Sequence, residues 1–188
     1  TTVATAVGTT TAIVNGTAMA NNASTNVSFQ YGLTTSYGSS VASTPGIVTG
    51  MIVTNCFANL TGLTAGTLYH YRIVGVNIFG TTNGNDMTFA TTGPPTVVTN
   101  FPTNILATSA KLNGTVTANS LSTTVTFQWG TTIAYGNVAA ASPGSVNGTT
   151  PTAVSANITG LTYGQIYHYR CAGVNSMGTT YGEDQSFT

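Results

Sequence analysis

The chain is nearly without charge. Of its 188 residues, three are Lys or Arg and three are Asp or Glu, where an ordinary soluble domain is roughly one quarter charged. Arg72, Lys111, Arg170, Asp86, Glu183 and Asp184 are the whole set, and they cancel. No basic field exists to draw in nucleic acid or anionic lipid, so no nucleic-acid partner is expected. No apolar run approaches the roughly 18 residues of a spanning helix, and membrane insertion is not expected either. Helical periodicity is absent throughout. With so few ionisable groups the surface must stay soluble through hydroxyls and amides, through attached sugars, or by burial against other subunits. Secreted and cell-surface bacterial proteins often have this composition, so an extracellular or cell-surface location is expected. The chain reads as a mature or excerpted segment, and the lack of an export signal does not argue for the cytoplasm.

What is present is present twice. Ala12–Ala90 lies over Ala110–Thr188 without a gap, equivalent residues standing 98 apart. The shared stretches are AxxNGT (Ala12–Thr17, Ala110–Thr115), FQ(Y/W)G (Phe29–Gly32, Phe127–Gly130) and YHYR (Tyr69–Arg72, Tyr167–Arg170). A period this long means two copies of a whole domain, not a solenoid of small units. The expected domains cover residues 1–91 and 96–188, joined by a Pro-containing linker at 92–95. The two prolines lack the N–H needed to continue a ladder and stiffen the junction.

Segments rich in Val, Thr, Ile, Phe and Tyr alternate with Gly, Asn, Pro and Ser clusters, the pattern of an all-β sandwich. Strands are predicted at Ala12–Ala20, Asn26–Tyr31, Val53–Leu60, Tyr69–Asn77 and Asp86–Ala90, with short ones at Thr2–Ala6 and Ser39–Ser43. That makes seven per domain, with repeat 2 following 98 residues on. Alternation assigns Val27, Phe29 and Tyr31 inward, with Trp129 replacing Tyr31 in the second copy. It also buries Cys56, Ala58 and Leu60, then Tyr69, Tyr71 and Ile73, then Phe89 and Phe187. His70 and Arg72 point outward. Cys56 and Cys171 have Val154 and Ile73 as counterparts, so each reads as a buried thiol standing in for an aliphatic residue. A disulfide or a reactive thiol is the alternative.

LTAGTLYHYRIVGVNIFG (Leu63–Gly80) and LTYGQIYHYRCAGVNSMG (Leu161–Gly178) resemble the loop and sixth strand of fibronectin type III domains. The resemblance covers nearly all of both repeats and looks closest to bacterial surface versions. It implies two tandem immunoglobulin-like β-sandwich domains with tyrosine corners at Tyr69 and Tyr167, whose hydroxyls return to backbone. It also implies turns at Asn77–Gly80 and Asn175–Gly178. Two departures stand out. Ala65 and Tyr163 replace the usual Pro, and the family's second-strand Trp is missing, with Tyr31 or Trp129 expected to fill part of its volume.

The chemistry expected of such a chain is slight. His70 and His168, beside Arg72, Arg170, Asp86 and Asp184, form a cross-strand polar row rather than an activated His–Asp pair. Neither a metal site nor a cofactor is expected, and the chain does not read as an enzyme. Sequons occur at Asn15, Asn22, Asn26, Asn59, Asn113, Asn147 and Asn157. Roughly five would arise by chance, so both glycosylation and coincidence stand. The leading expectation is a structural subunit of an extracellular bacterial filament, fibre or surface stalk, with copies of itself as partners. Uncharged sheet edges favour this, because free sandwiches blunt their edges with charge. Repeat 2 has Pro95–Val98 ahead of its first strand. A shorter first strand in repeat 1 puts Thr1, Thr2 and Val3 at a subunit contact, by strand donation, unless the segment was simply cut there. The alternative is an adhesin or a carbohydrate-binding accessory module of a secreted protein, which surface glycans would partner. Tyr37, Tyr135, Phe79 and Tyr181 are its candidate aromatics.

Overall fold

Strands and turns account for the whole of the computed structural model, which describes residues 1–188 and has no helix. The chain divides into two units, Thr1–Thr92 and Gly93–Thr188. Unit 1 holds β1 (Thr2–Thr5), β2 (Ala12–Ala18), β3 (Thr25–Gly32), β4 (Ser39–Val48), β5 (Thr54–Leu60), β6 (Leu68–Asn77), β7 (Gly80–Asn83) and β8 (Met87–Ala90). Unit 2 repeats them as β9 (Thr96–Leu106), β10 (Ser109–Thr117), β11 (Thr123–Gly130), β12 (Asn137–Val146), β13 (Thr152–Thr159), β14 (Tyr167–Asn175), β15 (Gly178–Tyr181) and β16 (Gln185–Phe187).

In unit 1 one sheet runs β1-β2-β5, and the other runs β4-β3-β6 with β7 and β8 following one another along the far side of β6. β4 belongs mainly to the second sheet but touches the first through one bridge, Thr44 to Phe57. Unit 2 has the same order, with Ser142 bridging to Ser155. All strand pairs are antiparallel. These are two tandem immunoglobulin-like β-sandwiches with the strand order of fibronectin type III domains.

The period-2 alternation builds the core. In β5, Cys56, Ala58 and Leu60 are buried while Asn55, Phe57 and Asn59 face out. Across the sandwich they meet Phe29, Tyr71, Ile73 and Phe89 in one cluster, and Leu112, Phe127, Tyr169, Cys171 and Phe187 repeat it in unit 2. Tyr69 stacks on Phe89 at 5.6 Å between ring centres, and Tyr167 on Phe187 at 5.7 Å. Trp129 packs against Tyr167 at 6.0 Å, which gives an aromatic neighbour to a core lacking the second-strand Trp.

The structure corrects several boundaries. Each domain has eight strand segments rather than seven. The predicted Asp86–Ala90 strand is shorter and is preceded by β7, with Gly84–Asp86 as a break between them. The break arises because Gly84 turns inward to donate its N–H to Ile73 O at 2.9 Å, as Gly182 does to Cys171. β4 runs on to Val48, since Ile47 and Val48 resume pairing with Asn26 and Thr25 after the bridge at Thr44. β2 stops at Ala18, ahead of Asn21 and Asn22, whose positive φ angles turn the chain. Ala6, also at positive φ, ends β1 at Thr5. β1 meets β2 at Thr2–Asn15 and Thr5–Ile13, whereas β9 pairs with β10 from Thr96 to Leu106. Thr92 donates its N–H to Gly8 O within unit 1, and Gly93 donates its own to Asn119 O within unit 2.

Candidate functional site

Every residue of the YHYR motif has a bonded partner, and the two copies agree closely. Tyr69 Oη accepts the Thr64 N–H at 2.9 Å, and Tyr167 Oη accepts that of Thr162 at 3.1 Å, five residues back in each case. His70 Nδ1 pairs with Asp86 Oδ2 at 2.8 Å, and His168 with Asp184 at the same distance. Tyr71 and Tyr169 donate their hydroxyls to the carbonyls of Thr2 and Asn100, tying the first strand of each domain to the sixth. Arg72 Nε donates to Gln30 Oε1 at 2.9 Å, and Arg170 to Gln128 at 2.8 Å.

A further residue completes the polar group. Tyr37 donates its hydroxyl to the second oxygen of Asp86 at 3.0 Å, and Tyr135 does the same to Asp184. The guanidinium of Arg72 lies 4.6 Å from the Tyr37 ring centre, and that of Arg170 4.7 Å from Tyr135 and 3.8 Å from Tyr181. Burial first, then the bond to the neighbouring carboxylate, pushes both Tyr37 and Tyr135 phenols above their ordinary range, and the nearby guanidinium opposes the shift. Both oxygens of Asp86 are thus committed. The group braces the β3–β4 turn, β6 and the β7–β8 break, at a partly exposed surface. Sequence reasoning found His70 and Asp86 but missed the tie to Tyr37. The signal was there: Tyr, His and Asp recur together at matching positions in both copies.

The other shared motifs have equally local reasons. In AxxNGT, Asn15 Nδ2 donates to Val3 O at 2.9 Å and Thr5 Oγ1 at 3.1 Å, and Asn113 to Phe101 O and Thr103 Oγ1 at the same distances. A Cβ on the following Gly16 would sit 2.9 Å from Ile73 Cδ1, and one on Gly114 2.9 Å from Cys171 Sγ. In FQ(Y/W)G, a Cβ on Gly32 or Gly130 would fall on the carbonyl of Tyr37 or Tyr135, so the hairpin turn closes only over glycine. The sequons thus fall into two groups. Asn15 and Asn113 spend their amide nitrogens holding the first strand, and their recurrence has a structural cause. Asn22, Asn26, Asn59, Asn147 and Asn157 are exposed.

Cys56 and Cys171 are both buried and unpaired. Burial pushes the Cys56 thiol up, against a bond with Ser43, and the Cys171 thiol up to about 12. Among the residues expected at a subunit contact, Thr1 Oγ1 accepts the Ile73 N–H at 3.2 Å and Thr2 O accepts from Tyr71. Val3 is exposed at its side chain while its carbonyl holds Asn15. Donating this strand to a neighbour would break those bonds. Of the four candidate aromatics, Tyr135 and Tyr181 meet across Arg170. Tyr37 and Phe79 do not meet, since Tyr37 follows the Gly32–His70 end of the β3–β6 pair and Phe79 follows the Asn26–Val76 end. No group of three or more His, Cys, Asp or Glu is placed to hold a metal ion.

No family model matches the chain, and no curated protein matches it. Among solved structures, a longer form of the sensor domain of the anti-sigma factor RsgI4 from Pseudobacteroides cellulosolvens is 23% identical. That match covers 50% of this chain and 87% of that one, with a TM-score of 0.36. A shorter form of the same domain is 22% identical over 51% and 94%, with a TM-score of 0.38. The FN1–FN3 domains of chicken CNTN1 are 15% identical over 96% of this chain and 62% of that one, with a TM-score of 0.42.

Proposed function

We propose that this chain is a non-catalytic structural subunit of an extracellular bacterial filament, fibre or surface stalk, and that its main partner is another copy of itself. One observation carries the reading: the surface exposes 23 large apolar or aromatic side chains but has six charged residues to keep copies apart. A free monomer with such a surface is prone to associate. The sheet edges agree. β1, β7 and β8 in one domain and β9, β15 and β16 in the other contain no charged residue. Pro102 in β9 is the one edge-blunting residue among them. The YHYR side chains are each bonded within their own domain, the arrangement of a structural brace.

A glycan-binding module is the second reading, and the Tyr135–Arg170–Tyr181 stack favours it, since sugar rings lie against aromatic faces. It applies to one domain only, because Asn83 stands where Tyr181 would recur. Immunogold labelling of whole cells and of thin sections, with an antibody to the folded chain, separates these readings. The proposal expects gold spaced along surface fibres. Gold scattered singly over the cell wall would favour the adhesive module, and label confined to the cell interior would overturn both.

A further inference from the structure

Strand order leaves one edge of each sandwich unshared. β4 pairs with β3 along Ser39–Ala42, opposite Tyr31–Ser28, and β12 pairs with β11 along Asn137–Ala140, opposite Trp129–Thr126. On its other side each strand touches a neighbour once only, where Thr44 meets Phe57 and Ser142 meets Ser155. Successive residues of an antiparallel strand turn their N–H and C=O groups to opposite sides. Ser39–Ala42 and Asn137–Ala140 therefore each present backbone donors and acceptors that no strand of their own domain receives. Such a row is a template for another strand.

The opposite edges are guarded. There the first strand is tied across to the other sheet: Tyr71 donates its hydroxyl to Thr2 O, and Thr99 Oγ1 accepts the Cys171 N–H at 3.1 Å. Pro102 and two register shifts interrupt β9, while Gly84 breaks the edge between β7 and β8, as Gly182 does between β15 and β16. Ser39–Ala42 and Asn137–Ala140 carry no such guard. They read Ser-Ser-Val-Ala and Asn-Val-Ala-Ala, without charge and with no side chain larger than Val. Ser40, Ala42, Val138 and Ala140 are exposed, Val138 by 67%. Val41 and Ala139 are partly buried, each against the core of its own domain.

Building on the proposed role as a self-assembling subunit, we infer that the β4 edge of one copy pairs antiparallel with the β12 edge of the next. The sheet β4-β3-β6 of one copy then continues into β12-β11-β14 of its neighbour. Side-chain size chooses this pairing. With Val41 opposite Ala139, Ala42 lies opposite Val138 and Ser40 opposite Ala140. Each Val then faces an Ala, the large-against-small arrangement that fills facing positions without crowding. Like against like would set Val41 on Val41 and Ala139 on Ala139, crowding one contact and leaving the other thin. Neither edge bears a charge to oppose the approach. Because one chain carries both halves of a contact between different surfaces, the contact propagates from copy to copy.

A Lys at either central position blocks its edge. In a free domain its stem lies along the open edge with the ammonium in water, whereas under a neighbouring strand the ammonium is buried unpaired. Val41→Lys blocks β4 and Ala139→Lys blocks β12, and unchanged circular dichroism establishes that each full-length variant folds. Should one not fold, Ala42→Lys or Ala140→Lys, at an exposed position of the same edge, replaces it. In sedimentation velocity, wild type is expected to polymerise, and each variant alone to be monomeric at the same concentration. An equimolar mixture of the two should form dimers and stop, because one intact β4 and one intact β12 remain. Amides of Ser39–Ala42 and Asn137–Ala140 that point away from β3 and β11 should exchange about tenfold more slowly in wild-type polymer than in the variants. Polymers from both variants, or equal exchange in polymer and monomer, would overturn the edge pairing while leaving the filament role standing. Dimers from the β4 variant alone would overturn it in favour of β12 pairing with itself. A wild-type chain that stays monomeric would overturn the filament role as well.

Discussion

A tyrosine hydroxyl and a cysteine thiol make the sharpest tests at the scale of single residues. Tyr69 gives up one hydrogen bond when changed to Phe, with its ring stacking on Phe89 kept. Urea unfolding of Tyr69→Phe should show domain 1 destabilised by about 0.5–1.5 kcal/mol. Leu60 is a fully buried core side chain, and Leu60→Ala should cost about 2–5 kcal/mol in the same measurement. Burial pushes the Cys171 thiol up to about 12, from an ordinary value of 9.0. Because the folded-state value is raised, its stabilising contribution is complete below pH 9 and is lost as pH climbs toward 12. Domain 2 should therefore weaken in alkali by up to about 1.4 kcal/mol per pH unit across that window. Cys171→Ile, the residue repeat 1 uses, should flatten the decline in a pH series of melting curves. The thiol should also resist alkylating reagents until the chain unfolds. The positions of these residues were legible in the sequence because strand alternation is strict: Cys56, Leu60, Tyr69 and Tyr71 fall on inner faces by counting. Their bonds were less so. Nothing in the spacing announces that Tyr71 reaches back to Thr2, a contact between residues far apart in the chain that only the packed sandwich creates.

At the scale of elements, long regular strands were the readable part and irregular ones were not. β5 and β6 sit within a residue of their predicted limits, since each has an unbroken inward row. β4 was read short because its outer half, after Thr44, is mostly exposed and shows no apolar alternation. β7 was missed for the same reason, since all four of its residues face solvent. Turns obey a stricter chemistry than strands. Gly130→Ala would drive a Cβ into the Tyr135 carbonyl, and the clash involves backbone that no side-chain movement relieves. We expect this change to prevent the β11–β12 hairpin from closing, read out as loss of the Trp129 fluorescence signature of folded domain 2. Gly50→Ala should be milder: a Cβ there meets open space, and its cost is that of a positive φ alone. Equal effects from the two changes would show that close approach is not the reason for the FQ(Y/W)G motif.

For the whole molecule, duplication separates what folding needs from what it does not. The YHYR, AxxNGT and FQ(Y/W)G motifs recur because each ties or clears a place in its own domain. Met51, Ile52 and Ile78 do not recur, and they lie exposed. The proposal of self-association rests on missing charge, a property visible in composition. Composition does not show which loops gather at one end, since that is set by strand order and by the direction in which each strand runs. The most direct test is electron microscopy of the purified wild-type chain across a range of concentrations. Fibres that lengthen with concentration, with a single 19.1 kDa chain as the axial repeat, are the predicted result. Dispersed 19.1 kDa particles at every concentration would contradict it.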